Sequence, residues 1–140
     1  MERSETITKL LHKIALVTMD MKTLAKTADN PFFKSKYVPL EQVQEALEPK
    51  LHAHGLGISQ PLYGKGIATI VSDNESGEWM FLPAEINSEH LKPQDQMSGV
   101  TYMKRYALVG LFNLKVGDED DDGNKASAKV APLAADDFLN

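Results

Sequence analysis

The sequence predicts an α+β domain with helices first, a three-stranded antiparallel β-meander next, then a third helix and an acidic tail. Three observations predict it. Apolar residues near the start recur at steps of three and four, the spacing of one helix face. Short β-branched and aromatic runs separated by glycine-bearing turns occupy the middle. Helical patterning then returns, before the composition turns acidic and small after Gly117.

Ile7, Leu10, Ile14, Val17, Met21, Leu24 and Ala28 form the first stripe. They predict a helix capped by Ser4 or Thr6 and stopped at Asn30-Pro31, because a residue before proline avoids the α region. Leu16 and Met19 fall off this stripe and suit a subunit contact. Pro39 then opens a second helix, where its missing N–H costs nothing. Leu40, Val43, Leu47 and Leu51 give that helix its buried face, Pro49 bends it, and Gly55 ends it. The strands follow as Leu56-Gly57-Ile58-Ser59-Gln60, Ile67-Ala68-Thr69-Ile70-Val71 and Glu78-Trp79-Met80-Phe81-Leu82, the last running on to about Ile86. Gly64-Lys65-Gly66 and Asp73-Asn74-Glu75-Ser76-Gly77 are the turns, and connections this short make neighbouring strands antiparallel. Pro83 marks an edge or a bulge. A polar loop over 87–94 leads to a third helix from about Asp95 to Leu114.

A chain of 140 residues with 42% hydrophobic composition has material for one core. Residues 1–115 therefore form the domain and 116–140 a disordered tail. The formal net charge of −5 argues against a nucleic-acid partner only until it is divided. Residues 1–115 carry thirteen Lys/Arg against thirteen Asp/Glu, and 116–140 carry two lysines against seven acids. All the excess lies in the tail, so the body is free to carry a basic face. No cysteine is present, which excludes disulfides, thiolate zinc sites and cysteine nucleophiles. No apolar run in the first thirty residues is long enough for a signal peptide or a membrane span, so a soluble, cytoplasmic protein is expected.

Two segments combine rings with cations. On the third helix Tyr102 and Tyr106 are four apart and share a face, with Arg105 beside them and Lys104 on the flank. Rings offer bases a stacking surface, and guanidinium and ammonium groups pair with phosphates. Phe32-Phe33-Lys34-Ser35-Lys36-Tyr37 repeats that chemistry. Taken singly, each pattern favours the plainer reading of core or core-edge aromatics beside solvated cations.

The same segments belong to a longer series. Asn30-Pro31-Phe32-Phe33-Lys34-Ser35-Lys36-Tyr37-Val38-Pro39-Leu40, Gly55-Leu56-Gly57-Ile58-Ser59-Gln60, Thr101-Tyr102-Met103-Lys104-Arg105-Tyr106-Ala107-Leu108 and the acid run 118–123 stand in that order. Together they resemble the signature blocks of the Erf (essential recombination function) family of phage single-strand annealing proteins, over roughly residues 5–123. The resemblance implies ATP-independent binding of single-stranded DNA, annealing of complementary strands, and assembly of the chain into rings or filaments. It also implies kinship with eukaryotic ring-forming annealing proteins, whose β-β-β-α core bears a basic helix like residues 100–108. On this basis Lys104, Arg105 and Tyr106 face DNA, and Lys34, Lys36 and Tyr37 assist. If the chain is phage-encoded, its compartment is the host bacterial cytoplasm. Some relatives have a longer C-terminal region, and functions housed there do not carry over.

No catalytic constellation competes with this reading, and a non-enzymatic protein without cofactor is expected. Asp118, Asp120, Asp122 and Gly123 match the opening of an EF-hand loop, but its closing position holds Lys129 where a bidentate Glu belongs. That leaves room for a loose Mg²⁺ contact only. His52 and His54 are two apart with no third ligand nearby, which is poor for zinc. Gly64-Lys65-Gly66 is too short for a phosphate loop. The tail reads as a competitor for the basic face, or as a docking tip (Asp136-Asp137-Phe138-Leu139) for a host single-strand binding or replication protein. Two rival classes stand beside the DNA reading: a metal-dependent nuclease using 118–122, and a protein-interaction adaptor using the first helix and the tail without touching DNA.

Overall fold

A computed structural model describes residues 1–29, 35–85 and 92–117. In chain order its elements are β1 (Glu2–Arg3), α1 (Thr8–Asp20), β2 (Leu24–Ala25), β3 (Ala28–Asp29), β4 (Lys36–Tyr37), α2 (Leu40–Ala53), β5 (Leu56–Ser59), β6 (Leu62–Tyr63), β7 (Gly66–Asp73), β8 (Trp79–Glu85), α3 (Pro93–Leu111) and β9 (Val116–Gly117). The class is α+β, as expected. Phe32, Phe33, Lys34, the Asn30-Pro31 stop, residues 87–91 of the polar loop and the acidic run with its EF-hand-like spacing lie outside the described residues.

The main sheet runs in the order β1-β8-β7-β5, with β6 also paired to β7, and every pairing in it is antiparallel. β7 is its centre. Ile67, Ala68, Thr69 and Val71 are all buried, because neighbouring strands flank β7 and helices cover it. β1 covers only Met80 and Phe81 of β8, so Pro83 falls where the outer edge of β8 is open and its missing N–H breaks no ladder. Gly66 is required sterically, since a Cβ there would meet the Ala84 carbonyl oxygen at 2.0 Å. The helices pack through Leu10, Ile14 and Val17 of α1, Val43, Leu47 and Leu51 of α2, and Leu108 of α3, with Phe112 wholly buried just beyond it. Each such side chain contributes roughly 1.5–3 kcal/mol on leaving water.

Helix ends depart from the sequence expectation in instructive ways. α1 stops at Asp20, ten residues before Asn30, and Met21 already has an extended ψ of 136°. Leu24 is still buried, but from β2, which pairs in parallel with β9. An apolar residue at the next helical step satisfies the periodicity whether it arrives by helix or by strand, and tertiary pairing decides. Neither Ser4 nor Thr6 caps α1. The Glu78 carboxylate does so across the fold, accepting from the Leu10 backbone N–H at 2.8 Å and from the Thr6 hydroxyl at 2.7 Å. These bonds, led by the Thr6 hydroxyl, hold the Glu78 carboxyl below its ordinary range against the opposing effect of burial.

Pro39 stands one residue earlier than expected, as the N-cap of α2, and Pro49 lies inside that helix. Gly55 follows it with φ +69° and donates its N–H to His52. α3 ends at Leu111 rather than Leu114. The N–H of Leu114 bonds the carbonyl of Val109 and that of Asn113 bonds Gly110, a Schellman turn with Asn113 at φ 49° where glycine is usual. Val116 and Gly117, expected in the tail, belong to the body as β9. Among the described residues, no helix is long and apolar enough to cross a membrane.

Candidate nucleic-acid interface

The two aromatic-basic segments lie 65 or more residues apart in the chain, and the fold joins them. The Arg105 guanidinium carbon stands 4.8 Å from the ring centre of Tyr37, 5.4 Å from Tyr102 and 5.9 Å from Tyr106. The Tyr102 and Tyr106 rings are 4.3 Å apart and tilted by 36°. This is the helix-face pairing expected at a spacing of four, with the cation drawn to the ring faces. Hydrogen bonding with Tyr106 and burial raise the Tyr102 phenol above its ordinary range, while the Arg105 charge opposes that shift.

Around this cluster lies a groove of about 280 Å³. Lys26, Lys36, Arg105, Tyr37 and Tyr106 form its polar walls, and Val38, Val109 and Val116 its apolar lining. No acid lines it. The nearest carboxylate in the strand pairing is Asp29, opposite Lys36 across the β3–β4 ladder. Lys26, Lys36 and Arg105 make no ion pair with any described residue. Tyr102 and Tyr106 keep about half their surface exposed, at 48% and 55%. Three cations beside half-exposed rings, with no ion-pair partner among the described residues, can take a phosphate with an adjoining base.

Each wall is placed by a traceable contact. Val38 is buried, which seats the Lys36-Tyr37 strand against the body just before α2. Gln42 on α2 donates to the Ala25 carbonyl at 3.0 Å and accepts from the Thr27 hydroxyl at 2.7 Å, clamping the residues either side of Lys26. The Lys26 N–H reaches the Gly117 carbonyl at 3.0 Å, which sets β9 into the same wall. Thr18 donates to the Phe112 carbonyl at 2.7 Å and fixes the end of α3 on α1.

Lys104 faces elsewhere. It lines a separate cleft of about 210 Å³ with Gln44, Glu48, Ser59 and Gln60, on the side of α3 toward α2 and β5. There Gln60 pins the helix, donating to the Lys104 carbonyl at 3.1 Å and to the Thr69 hydroxyl at 3.0 Å. Adjacent helix positions point about 100° apart, so Lys104 and Arg105 share a basic pair in sequence but not a groove. Of the sequence candidates, Arg105, Tyr106, Tyr102, Lys36 and Tyr37 come together, Lys104 does not join them, and Lys34 lies outside the described residues. Lys26, Val116 and the positioning residue Gln42 escaped the sequence. Lys26 was hidden in a stripe read as helix, and β-branched Thr23 and Thr27 around it were the one signal against that helix. Elsewhere, His54 and Asp20 meet at 2.9 Å and tie α2 to α1.

The groove residues fall within a recognisable family. Residues 10–131 match the ERF superfamily. The chain belongs to that superfamily. The Essential recombination function protein of Salmonella phage P22 is similar to this ERF chain, with 29% identity over 117 residues, covering 76% of this chain and 57% of that protein. The chain thus spans little more than half the length of that relative. No solved structure matches the ERF chain. The matched span includes Lys26, Lys36, Tyr37, Arg105 and Tyr106, and continues through the acidic run that follows Gly117.

Proposed function

We propose that this ERF chain binds single-stranded DNA in the Arg105 groove and anneals complementary strands in phage recombination, without ATP and without a catalytic step of its own. The observation that carries the proposal is the convergence of Tyr37, Tyr106 and Arg105, from distant parts of the chain, on a groove whose described charged residues are all cationic. Membership of the ERF superfamily and the recombination role in the name of the P22 relative support the same reading.

Phosphates would lie against Lys26, Lys36 and Arg105, and the open faces of Tyr106 and Tyr102 would steady a base without reading its pairing edge. A strand held by its backbone keeps its Watson–Crick edges available to a second strand, which is what annealing requires. One short groove grips only a few nucleotides, so productive annealing calls for several copies of the chain in a row, as a ring or filament. β5, β6, β7 and β8 followed by α3 support, without establishing, the kinship with ring-forming annealing proteins that the resemblance implies. A host single-strand binding or replication protein is the partner proposed for the end of the tail.

The test is an annealing assay with complementary oligonucleotides, alongside binding to an unstructured oligothymidylate over a salt series. Three neutralised phosphates per groove give a log–log salt slope of about −2 for one subunit, at roughly −0.7 per phosphate on a single strand. A flat salt response, or annealing that survives Arg105→Ala in a variant with an unchanged melt, would refute the proposal.

A further inference from the structure

We propose that the chain's own acidic run, residues 118–122, occupies the Arg105 groove when DNA is absent and is displaced by DNA phosphates. This rests on the groove's proposed role as the DNA site and adds its regulation. Position carries the argument first. β9 is laid in parallel against β2 by bonds from Leu24 N–H to the Lys115 carbonyl at 2.8 Å and from Lys26 N–H to the Gly117 carbonyl at 3.0 Å. Val116 is itself part of the groove lining, and so is Lys26. The peptide that follows Gly117 begins Asp118-Glu119-Asp120-Asp121-Asp122, so five carboxylates start one residue from a wall of cations. Without the β2–β9 ladder the same run would begin from a free chain end.

Charge and reach carry it further. Among the described residues, Lys26, Lys36 and Arg105 have no ion-pair partner and no carboxylate lines the groove. Five extended residues reach up to about 17 Å. Carboxylates brought within the screening length of about 8 Å at ordinary ionic strength would be attracted to these cations. Tethering so short a segment beside its site gives an effective concentration in the millimolar range, so weak contacts suffice for occupancy. A DNA strand delivers the same negative charge with bases that stack, so it displaces the run while the run rejects weaker anions.

The experiment uses the full chain and a variant with Asp118→Asn, Glu119→Gln, Asp120→Asn, Asp121→Asn and Asp122→Asn. Since that change takes the formal net charge from −5 to zero, tighter DNA binding alone would not separate docking from a general field effect. The deciding readout is therefore made without DNA, on the Arg105 Nε–H and the Tyr37 and Tyr106 ring resonances at low salt. They are expected to differ between the two proteins, with the wild type moving toward the variant as salt is raised. Oligothymidylate binding is expected to be about fivefold tighter for the variant at low salt and equal for both near 0.5 M, where screening removes the competition. Identical groove resonances in the two DNA-free proteins would overturn the proposal, whatever the DNA affinities. If neither protein binds DNA, the DNA reading fails, while the resonance comparison still upholds or overturns docking of the acidic run.

Discussion

Two regions of this molecule hold charge against a partly dry surface, and they treat it in opposite ways. At the turn between β7 and β8, Asp73 is buried and accepts from Lys13 at 2.6 Å, from Ser76 at 2.6 Å and from the Glu75 N–H at 3.1 Å. Glu78, five residues on, spends both oxygens on the start of α1. In the groove, Lys26, Lys36 and Arg105 are gathered with no described counter-charge except Asp29 across the ladder. Burying unpaired charge is costly, so a fold pairs it internally where it serves the architecture. Where like charges collect on an open wall, they are offered to something outside. The first region holds the chain together, and the second is the one proposed to hold DNA.

That division breaks if the two regions respond alike. The largest expected effect is on the groove: Arg105→Ala with Tyr106→Ala should weaken oligothymidylate binding by about 100-fold, given roughly 1–3 kcal/mol per stacked base and a lost phosphate contact. Fluorescence anisotropy measures it, and the thermal melt should move little because Tyr106 is more than half exposed. Lys104→Ala sharpens the comparison, since that side chain lines the other cleft. Its loss should cost no more than about threefold, through the general field alone. Equal losses from Lys104→Ala and Arg105→Ala would mean that DNA crosses the helix rather than following the groove.

The reverse pattern is expected from Glu78→Ala. It leaves the Leu10 N–H and the Thr6 hydroxyl without their acceptor and uncaps α1. The Tm should fall by about 5 °C or more, a cap's worth for a domain of this size, while the folded fraction binds DNA as before.

What the sequence revealed and what it hid follow the same line. The three helices, the antiparallel run of β5, β7 and β8 and the tyrosine face of α3 were legible because each is written in local periodicity, whereas the short β1 and β6 of the same sheet were not. Tyr102, Tyr106 and Arg105 could be placed together from spacing alone. The β2–β9 ladder was not legible, because it pairs residues more than ninety positions apart and Leu24 fits the helical stripe as well as the strand. Lys26 was lost with it. The separation of Lys104 from Arg105 was implicit in helix geometry, but which of the two meets Tyr37 depends on where β4 packs. The remote cap could not be anticipated from Ser4 and Thr6, which have suitable side chains yet turn them to Trp79 and Glu78.

Acid should reach the paired region selectively. Lys13 first, then Ser76 and the Glu75 N–H, hold the Asp73 carboxyl at about 2 against an ordinary 3.8. A carboxyl with a depressed folded pKa contributes stability that is complete above its unfolded value and is lost as the pH falls through its folded one. The window is therefore about pH 4 down to about 2, and Glu78 and Asp20, both shifted downward, act in the same sense. Thermal melts should be flat from pH 7 to about 5 and fall steeply below 4. Asp73→Asn should lower the plateau and flatten the fall; an unaltered profile would show that the Lys13 pair adds nothing to stability.

The smallest effect tests whether the end of α3 belongs to the scaffold or to the site. Asn113 holds φ 49° to close the Schellman turn that seats Leu114 and directs Lys115 toward the β9 ladder. Glycine adopts that conformation without a Cβ penalty. Asn113→Gly should therefore raise the Tm by about 1–3 °C. Because Asn113 lines neither the groove nor the Lys104 cleft, DNA affinity should not change. A rise in Tm accompanied by weaker binding would mean that the turn sets the position of Val116 and Lys26 as well as the stability of the helix. The boundary between scaffold and site would then run through the β2–β9 ladder rather than beside it.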